Sequence, residues 1–315
     1  MKRILVTGAT GFVGRALVQE LLTQKFSVIA GVRHLSPTLS APQIELGDLS
    51  SATDHTATLQ NIDVVIHLAA RAHIMQDTAS DPLAEFRKTN TVDTLNLAIQ
   101  AAAEAGVKRF IFISSIKVNG EMTTKETPFQ TEITGAPTDP YALSKYEAEH
   151  GLMSLAKSSG LEVVIIRPPL VYGPGVKANF AIMIQWLLKG IPLPLGSIHN
   201  KRSLVALDNL VNFIILCVNH PKAANEVFLI SDGEDVSTTQ LLQKIARALQ
   251  KKARLIPVPI SWMRFAALLI GKQDVANRLF SSLLVDSFKA RDLLGWQPVI
   301  SMDQQLQKIA EPDKT

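Results

Sequence analysis

The chain has one cysteine, Cys217, in 315 residues. A disulfide within the chain and a cysteine metal cluster are thereby excluded, and no metal site is expected. Cys217 lies in the run Phe213-Ile214-Ile215-Leu216-Cys217-Val218, which predicts a buried, inert thiol. Aromatic residues are scarce, at 6%, and none interleave with the densest basic run, Lys251-Lys252-Ala253-Arg254. No nucleic-acid partner is expected on that footing. The net charge of +4 instead suits an enzyme whose ligands carry phosphates. No stretch approaches the roughly 18 uninterrupted apolar residues of a membrane span. The apolar run that follows Lys2-Arg3 stops at Thr7-Gly8, too short for a signal peptide. Trp262 to Ile270 is apolar but contains Arg264 and ends at Gly271; it predicts a core or interface helix rather than an anchor. These absences together predict a cytoplasmic protein with no membrane insertion.

What is present is ordinary globular material, 47% hydrophobic and 19% charged. Only the polar tail Glu311 to Thr315 suggests disorder. Short apolar runs alternate with helical stretches through the first two-thirds. The runs are Ile4 to Thr7, Ser27 to Val32, Ile44 to Leu46, Val64 to Leu68, Phe110 to Ser114 and Glu162 to Arg167. Between them, Phe12 to Gln24, Ala52 to Gln60, Pro82 to Glu104 and Pro140 to Ser159 carry apolar residues at three- and four-residue spacing. Strands that are apolar throughout are covered on both faces. The pattern predicts an α/β fold, a Rossmann-type doubly wound parallel sheet, with a smaller C-terminal α/β substrate domain. Residues 1–172, with about 199–230, are assigned to the dinucleotide domain, and 173–198 with 231–310 to the substrate domain. In the latter half, helices are expected over Asp208 to Val218, Thr238 to Gln250, Trp262 to Ile270 and Ser287 to Leu294, and a strand over Glu226 to Ile230.

Thr7-Gly8-Ala9-Thr10-Gly11-Phe12-Val13-Gly14 follows the first strand and opens the first helix. In that position a glycine triplet is a strong dinucleotide signal. Gly8 permits the turn, Gly11 lets backbone amides approach a pyrophosphate, and Gly14 allows helix and strand to pack closely. The helix N-terminus stabilises the phosphate charge. Gly8, Thr10, Gly11, Phe12, Val13 and Gly14 are therefore candidate cofactor contacts, joined by Asp48 and Leu49 after the third strand. The second strand ends Val32-Arg33-His34 with no acid to accept a ribose hydroxyl. Arg33 would instead pair with a 2′-phosphate, so NADP(H) is favoured and NAD(H) is the alternative.

Tyr141 and Lys145 stand four apart at the start of a helix and share a face. An ammonium beside a phenol should lower its pKa from about 10, readying it for proton exchange near neutral pH. Ser115, at the carboxyl edge of the sheet, could hold a substrate oxygen beside Tyr141; Ser114 is the inferior candidate.

These elements, with His67-Leu68-Ala69-Ala70, Asn90 and Arg167-Pro168-Pro169-Leu170-Val171-Tyr172-Gly173-Pro174, resemble the extended short-chain dehydrogenases, which include sugar-nucleotide epimerases, dehydratases and reductases. The resemblance covers nearly the whole chain. It implies a catalytic set of Ser115, Tyr141 and Lys145, with Lys145 also on the nicotinamide ribose. It implies cofactor contacts from Leu68, Ala69, Ala70, Asn90, Pro168 and Leu170. Asn179-Phe180 and Lys201-Arg202-Ser203 resemble the substrate side of sugar-nucleotide members, giving Asn179, Arg202 and Lys177 as candidate UDP-sugar ligands. Asp208 is expected to cap a helix. A homodimer through the Pro82 to Glu104 and Pro140 to Ser159 helices is implied as well.

Dehydratases of this family carry Asp-Glu after the catalytic hydroxyl, where this chain has Ile116-Lys117. The missing acid after the second strand argues for an exchangeable cofactor. The expected activity is therefore NAD(P)H-dependent reduction of the 4-keto group of a UDP-linked 6-deoxy-2-acetamido sugar, for bacterial surface polysaccharide. An NAD-dependent UDP-sugar 4-epimerase is the alternative.

Overall fold

The computed structural model describes residues 2–49, 53–71, 81–103, 106–124 and 127–311. In chain order the elements are β1 (Arg3–Thr7), α1 (Phe12–Thr23), β2 (Ser27–Val32), β3 (Gln43–Glu45), α2 (Thr56–Leu59), β4 (Val64–His67), α3 (Pro82–Phe86), a π-helical turn (Arg87–Val92), α4 (Asp93–Ala103) and β5 (Arg109–Ile113). There follow a 3₁₀ turn (Ile116–Val118), α5 (Pro140–Ser159), β6 (Glu162–Arg167), β7 (Leu170–Tyr172), α6 (Ala178–Leu188), β8 (Leu204–Ala206) and α7 (Leu207–Asn219). The chain closes with a 3₁₀ turn (Pro221–Ala223), β9 (Glu226–Leu229), α8 (Thr238–Ala248), α9 (Ile260–Leu269), α10 (Gln273–Phe280), α11 (Phe288–Leu294) and α12 (Met302–Ala310).

Seven strands form one parallel sheet in the order β3-β2-β1-β4-β5-β6-β9, as the apolar strands require. The strand order reverses between β1 and β4, the switch point where such sheets open a ligand crevice. One face of the sheet packs on α1 and α7, the other on α4 and α5. β7 and β8 make a separate two-stranded parallel sheet. Tyr172, Phe180, Leu187, Leu242 and Met302 gather in a second apolar cluster with α6, α8 and α12. Cys217 is fully buried within the first cluster, and burial pushes its thiol up.

Several elements differ from the sequence expectation. The starts of the Ala52 to Gln60 stretch and the end of Pro82 to Glu104, with residues 312–315 of the tail, lie outside the described residues. The Pro82 helix is not uniform: a π turn interrupts it, because Asn90 must reach partners on two other elements (below). Asp208 is not the cap of α7. Ala206 holds that position, Asp208 pairs with Lys308 at 2.8 Å, and Asp232 accepts the Ala206 N–H at 2.9 Å. α9 is no core helix, since none of its residues is buried. Helices α6, α10 and α12 were not among those expected from the sequence. Among the described residues no helix is long and apolar enough to cross a membrane.

Candidate active site

The glycine turn sits at the carboxyl end of β1, against the segment that leaves β4. Gly8 has φ +69°, and a Cβ there would stand 2.6 Å from Ala69 N and 2.7 Å from Leu68 C. A Cβ on Gly14 would stand 2.2 Å from Gly8 O. These two glycines therefore hold turn, helix and Leu68-Ala69-Ala70 in contact. Gly11 begins α1 with no side-chain cap, and the first turn of α1 carries no acid. Its leading N–H groups are thus left for an anion. A dinucleotide pyrophosphate fits this open, uncapped helix start. Thr10 and Gly11 are exposed there, Phe12 and Val13 half-buried. Asp48 and Arg33 are exposed on the neighbouring rim, and Leu49 is half-buried. Both charged groups act on Asp93, whose carboxyl is pushed up chiefly by burial.

His67, at the end of β4, is buried. Its Nδ1 lies 2.8 Å from the Thr7 hydroxyl and its Nε2 3.0 Å from that of Thr94. Burial first, and then the Lys145 charge, push its pKa down to about 3. Its role in the sheet edge is structural, and it carries a pH signature. Unfolded histidine gains its proton near 6.5, the folded ring only near 3. Folding stability must therefore fall as pH drops through this window. We expect His67 to account for about 2 kcal/mol of loss between pH 6.5 and 4.5. Urea unfolding of wild type and His67→Gln checks this: the difference between them should change with pH across that range, and a constant difference would refute the assignment.

Asn90 joins three segments. Its side chain accepts from Arg71 N at 2.8 Å and donates to Arg71 O at 3.1 Å and to Ser144 Oγ at 3.0 Å. It thus ties the end of the Leu68-Ala69-Ala70 segment to α5.

α5 begins with Asp139 as N-cap, accepting from Ala142 N, and with Pro140 in the first turn. Tyr141 and Lys145 follow one turn apart, and Ser115 faces them from the end of β5. The Ser115 hydroxyl acts on the Tyr141 phenol, favouring its charged form, and accepts the Lys117 N–H at 3.3 Å. Lys145 is buried, donates to Ile113 O at 2.9 Å and lies 4.4 Å from the centre of the Phe112 ring. Ser114 instead donates to Glu149, two turns further along α5 than Tyr141. The three candidate catalytic side chains are therefore brought together and Ser114 is not among them.

Their protonation differs from the expectation. Burial pushes the Tyr141 phenol up to about 12 despite the opposing effect of the Ser115 hydroxyl, and burial pushes Lys145 down to about 7. The anticipated lowering of Tyr141 by Lys145 is absent in the protein alone, because desolvation penalises both charged forms.

Behind the site lies an ion pair that the sequence reading missed. Arg167 Nη2 and Glu149 Oε2 are 2.6 Å apart, with side chains 4% and 3% exposed. Arg167 also donates to Asn119 Oδ1 and Thr131 O. The signal was there in part: Tyr141, Lys145 and Glu149 repeat at four-residue spacing.

The remaining candidates are scattered around this centre. Pro168 is buried and its carbonyl accepts Ile116 N, while Leu170 is exposed on β7. Lys177 and Asn179 are exposed at the start of α6. Their neighbour Phe180 is core, stacked on Tyr172 at 5.6 Å. Arg202 Nη1 donates to Arg278 O and Ser281 O at 2.9 and 3.0 Å, which fixes its guanidinium against the end of α10. Arg278 itself was missed, with its short helix.

Residues 4–231 match the model of the NAD dependent epimerase/dehydratase family. The chain is 51% identical over 312 residues to a UDP-glucose 4-epimerase of Vibrio cholerae, covering 98% of this chain and 95% of that one. Among solved structures it resembles a UDP-glucose 4-epimerase from Thermotoga maritima, with UDP-glucose (TM-score 0.76, 26% identity, 98% and 97% of the two chains). MoeE5 in complex with UDP-glucose and NAD is as similar (TM-score 0.77, 25% identity, 98% and 97%). The expected reduction of a UDP-4-keto sugar is overturned by the Vibrio relative, which is named for epimerisation and matches across almost the full length. The missing acid after the second strand, from which an exchangeable cofactor was inferred, does not by itself set the net reaction. A nicotinamide-dependent enzyme of the extended short-chain dehydrogenase type, the chain belongs to the NAD-dependent epimerase/dehydratase family.

Proposed function

We propose that the protein is a UDP-hexose 4-epimerase, with UDP-glucose and UDP-galactose as the substrate class and NAD as cofactor. The observation that carries this reading is the 51% identity to a UDP-glucose 4-epimerase across 98% of the chain. The site supports it. Ser115 and Tyr141 offer one hydroxyl and one phenol to the sugar C4 oxygen, and no acidic pair follows Ser115 to eliminate water. A bound NAD would supply reversible hydride exchange at C4. Tyr141 would pass the 4-hydroxyl proton to and fro, with Ser115 holding the oxygen. Lys145, on the same face of α5, would hold ribose and favour the phenolate. Gly8, Thr10, Gly11, Phe12, Val13 and Gly14 would cradle the pyrophosphate; Leu68, Ala69, Ala70, Pro168 and Leu170 would line the nicotinamide half. Asp48 and Leu49 would face adenine. Asn90 would act by positioning. NAD is preferred here over NADP(H) because a solved neighbour holds NAD and because Arg33 is an exposed rim residue. Lys177, Asn179 and Arg202 would meet the diphosphate and sugar. A cytoplasmic homodimer, paired through α4 and α5, completes the reading; Val92 and Ile99, 44% and 49% exposed, supply apolar surface for it.

Incubating purified protein with UDP-galactose and catalytic NAD tests this. Conversion to UDP-glucose without net change in the reduced-nicotinamide absorbance is expected. Stoichiometric consumption of reduced cofactor with a UDP-4-keto sugar, and no interconversion at C4, would overturn it.

A further inference from the structure

α9 turns an apolar face to solvent. Trp262, Phe265 and Leu269 are 71%, 63% and 70% exposed. With 3.6 residues per turn, they form a stripe opposite Ile260, Met263 and Ala267, which pack into the second apolar cluster. Leu268 and Ile270, 53% and 70% exposed, widen the patch. Single exposed apolar residues are commonplace, but a contiguous patch on one helix marks an interaction site.

The surrounding charge selects the occupant. From Val236 to Gln273 the chain contains seven cations and no carboxylate. Lys251, Lys252 and Arg254 are exposed on the approach to α9, Arg264 lies on it, and Lys272 follows its end, donating its backbone N–H to Ala267 O. Among the described residues none of these five is in an ion pair. A second copy docked by two-fold symmetry would set this cationic rim close to its own equivalent, which is unfavourable. An anionic lipid surface satisfies both features. Cations are drawn to acidic headgroups, and Trp, Phe and Leu enter the headgroup–acyl boundary.

We propose that α9 is an interfacial docking helix that lies in the plane of an anionic phospholipid surface. It does not span, having ten residues, so the chain stays outside the hydrocarbon core. The proposal is independent of the reaction the enzyme performs.

Flotation of the full-length protein tests it, using vesicles of phosphatidylglycerol with phosphatidylethanolamine, and vesicles of phosphatidylcholine alone. Wild type should float with the first and not the second, and added salt should release it. A W262S/F265S/L269S variant should stay in the aqueous layer while keeping the wild-type thermal transition, since these side chains support no core. K251Q/K252Q should bind about twentyfold more weakly, about fivefold per charge. Trp262 emission should shift to the blue only with the anionic vesicles. Absence of wild-type flotation overturns the proposal, as does a triple variant that floats like wild type. So does a dimer in ultracentrifugation that the triple variant breaks, which would give the face to a second copy.

Discussion

Tyr141→Phe is expected to lower turnover by about 10²–10⁴-fold and to leave the fold and its thermal transition almost unchanged. The ring would remain edge-on to Phe86, 5.8 Å between centres, so packing survives the loss of one oxygen. What disappears is the phenol beside Ser115, the group that would exchange a proton with a sugar hydroxyl. In the protein alone, burial holds Tyr141 as a neutral phenol and leaves Lys145 about half protonated at pH 7. Each charged form would therefore be favoured only as the other appears, or as charge enters the site. The loss should fall on kcat, because the phenol contributes to the transition state more than to ground-state binding. Ser115→Ala should cost less, since it orients the oxygen and carries no net proton. Steady-state kinetics on UDP-galactose decide the matter. A kcat within tenfold of wild type, or a loss confined to KM, would remove Tyr141 from its role.

The parts legible in the sequence were those that local chemistry determines. α5 was delimited correctly at both ends because Asp139 caps it, Pro140 suits its first turn, and Gly160 ends it in a left-handed conformation at φ +75°. The parallel sheet followed from strands apolar on both faces, and the shared face of Tyr141 and Lys145 on α5 from their spacing of one helical turn. What could not be read depended on distant partners. Asn90 bends its helix into a π turn to meet Arg71 and Ser144. His67 is fixed by Thr7 and Thr94, which no local pattern links to it. Asp208 looked like a cap, yet Ala206 holds that position with no side-chain cap, and Asp208 pairs instead with Lys308 on α12. The net reaction was misread for a related reason. A Ser, Tyr and Lys that move one proton serve reductases and epimerases alike. The feature used to choose between them, Arg33, stands on an exposed rim where many side chains are tolerated.

Glu149→Leu is expected to destabilise the protein by about 3–5 kcal/mol, because it strands a buried guanidinium. Glu149 accepts from Arg167 Nε and Nη2 and from the Ser114 hydroxyl. No other carboxylate among the described residues pairs with Arg167. Adding Arg167→Met should restore much of the loss, since a hydrophobic pair of similar volume avoids desolvating two charges. Urea midpoints at constant m would show both effects, and a single-variant loss below about 1 kcal/mol would refute the argument. The double variant also separates stability from catalysis. Arg167 holds Asn119 and the Thr131 carbonyl, and so braces the loop that runs from Ser115 to α5. If that bracing positions Ser115 against Tyr141, the restored double variant will fold well and still turn over slowly, with KM little changed. If kcat recovers with stability, the ion pair serves the fold alone, and Ser115 owes its place to Ile116 N on the Pro168 carbonyl.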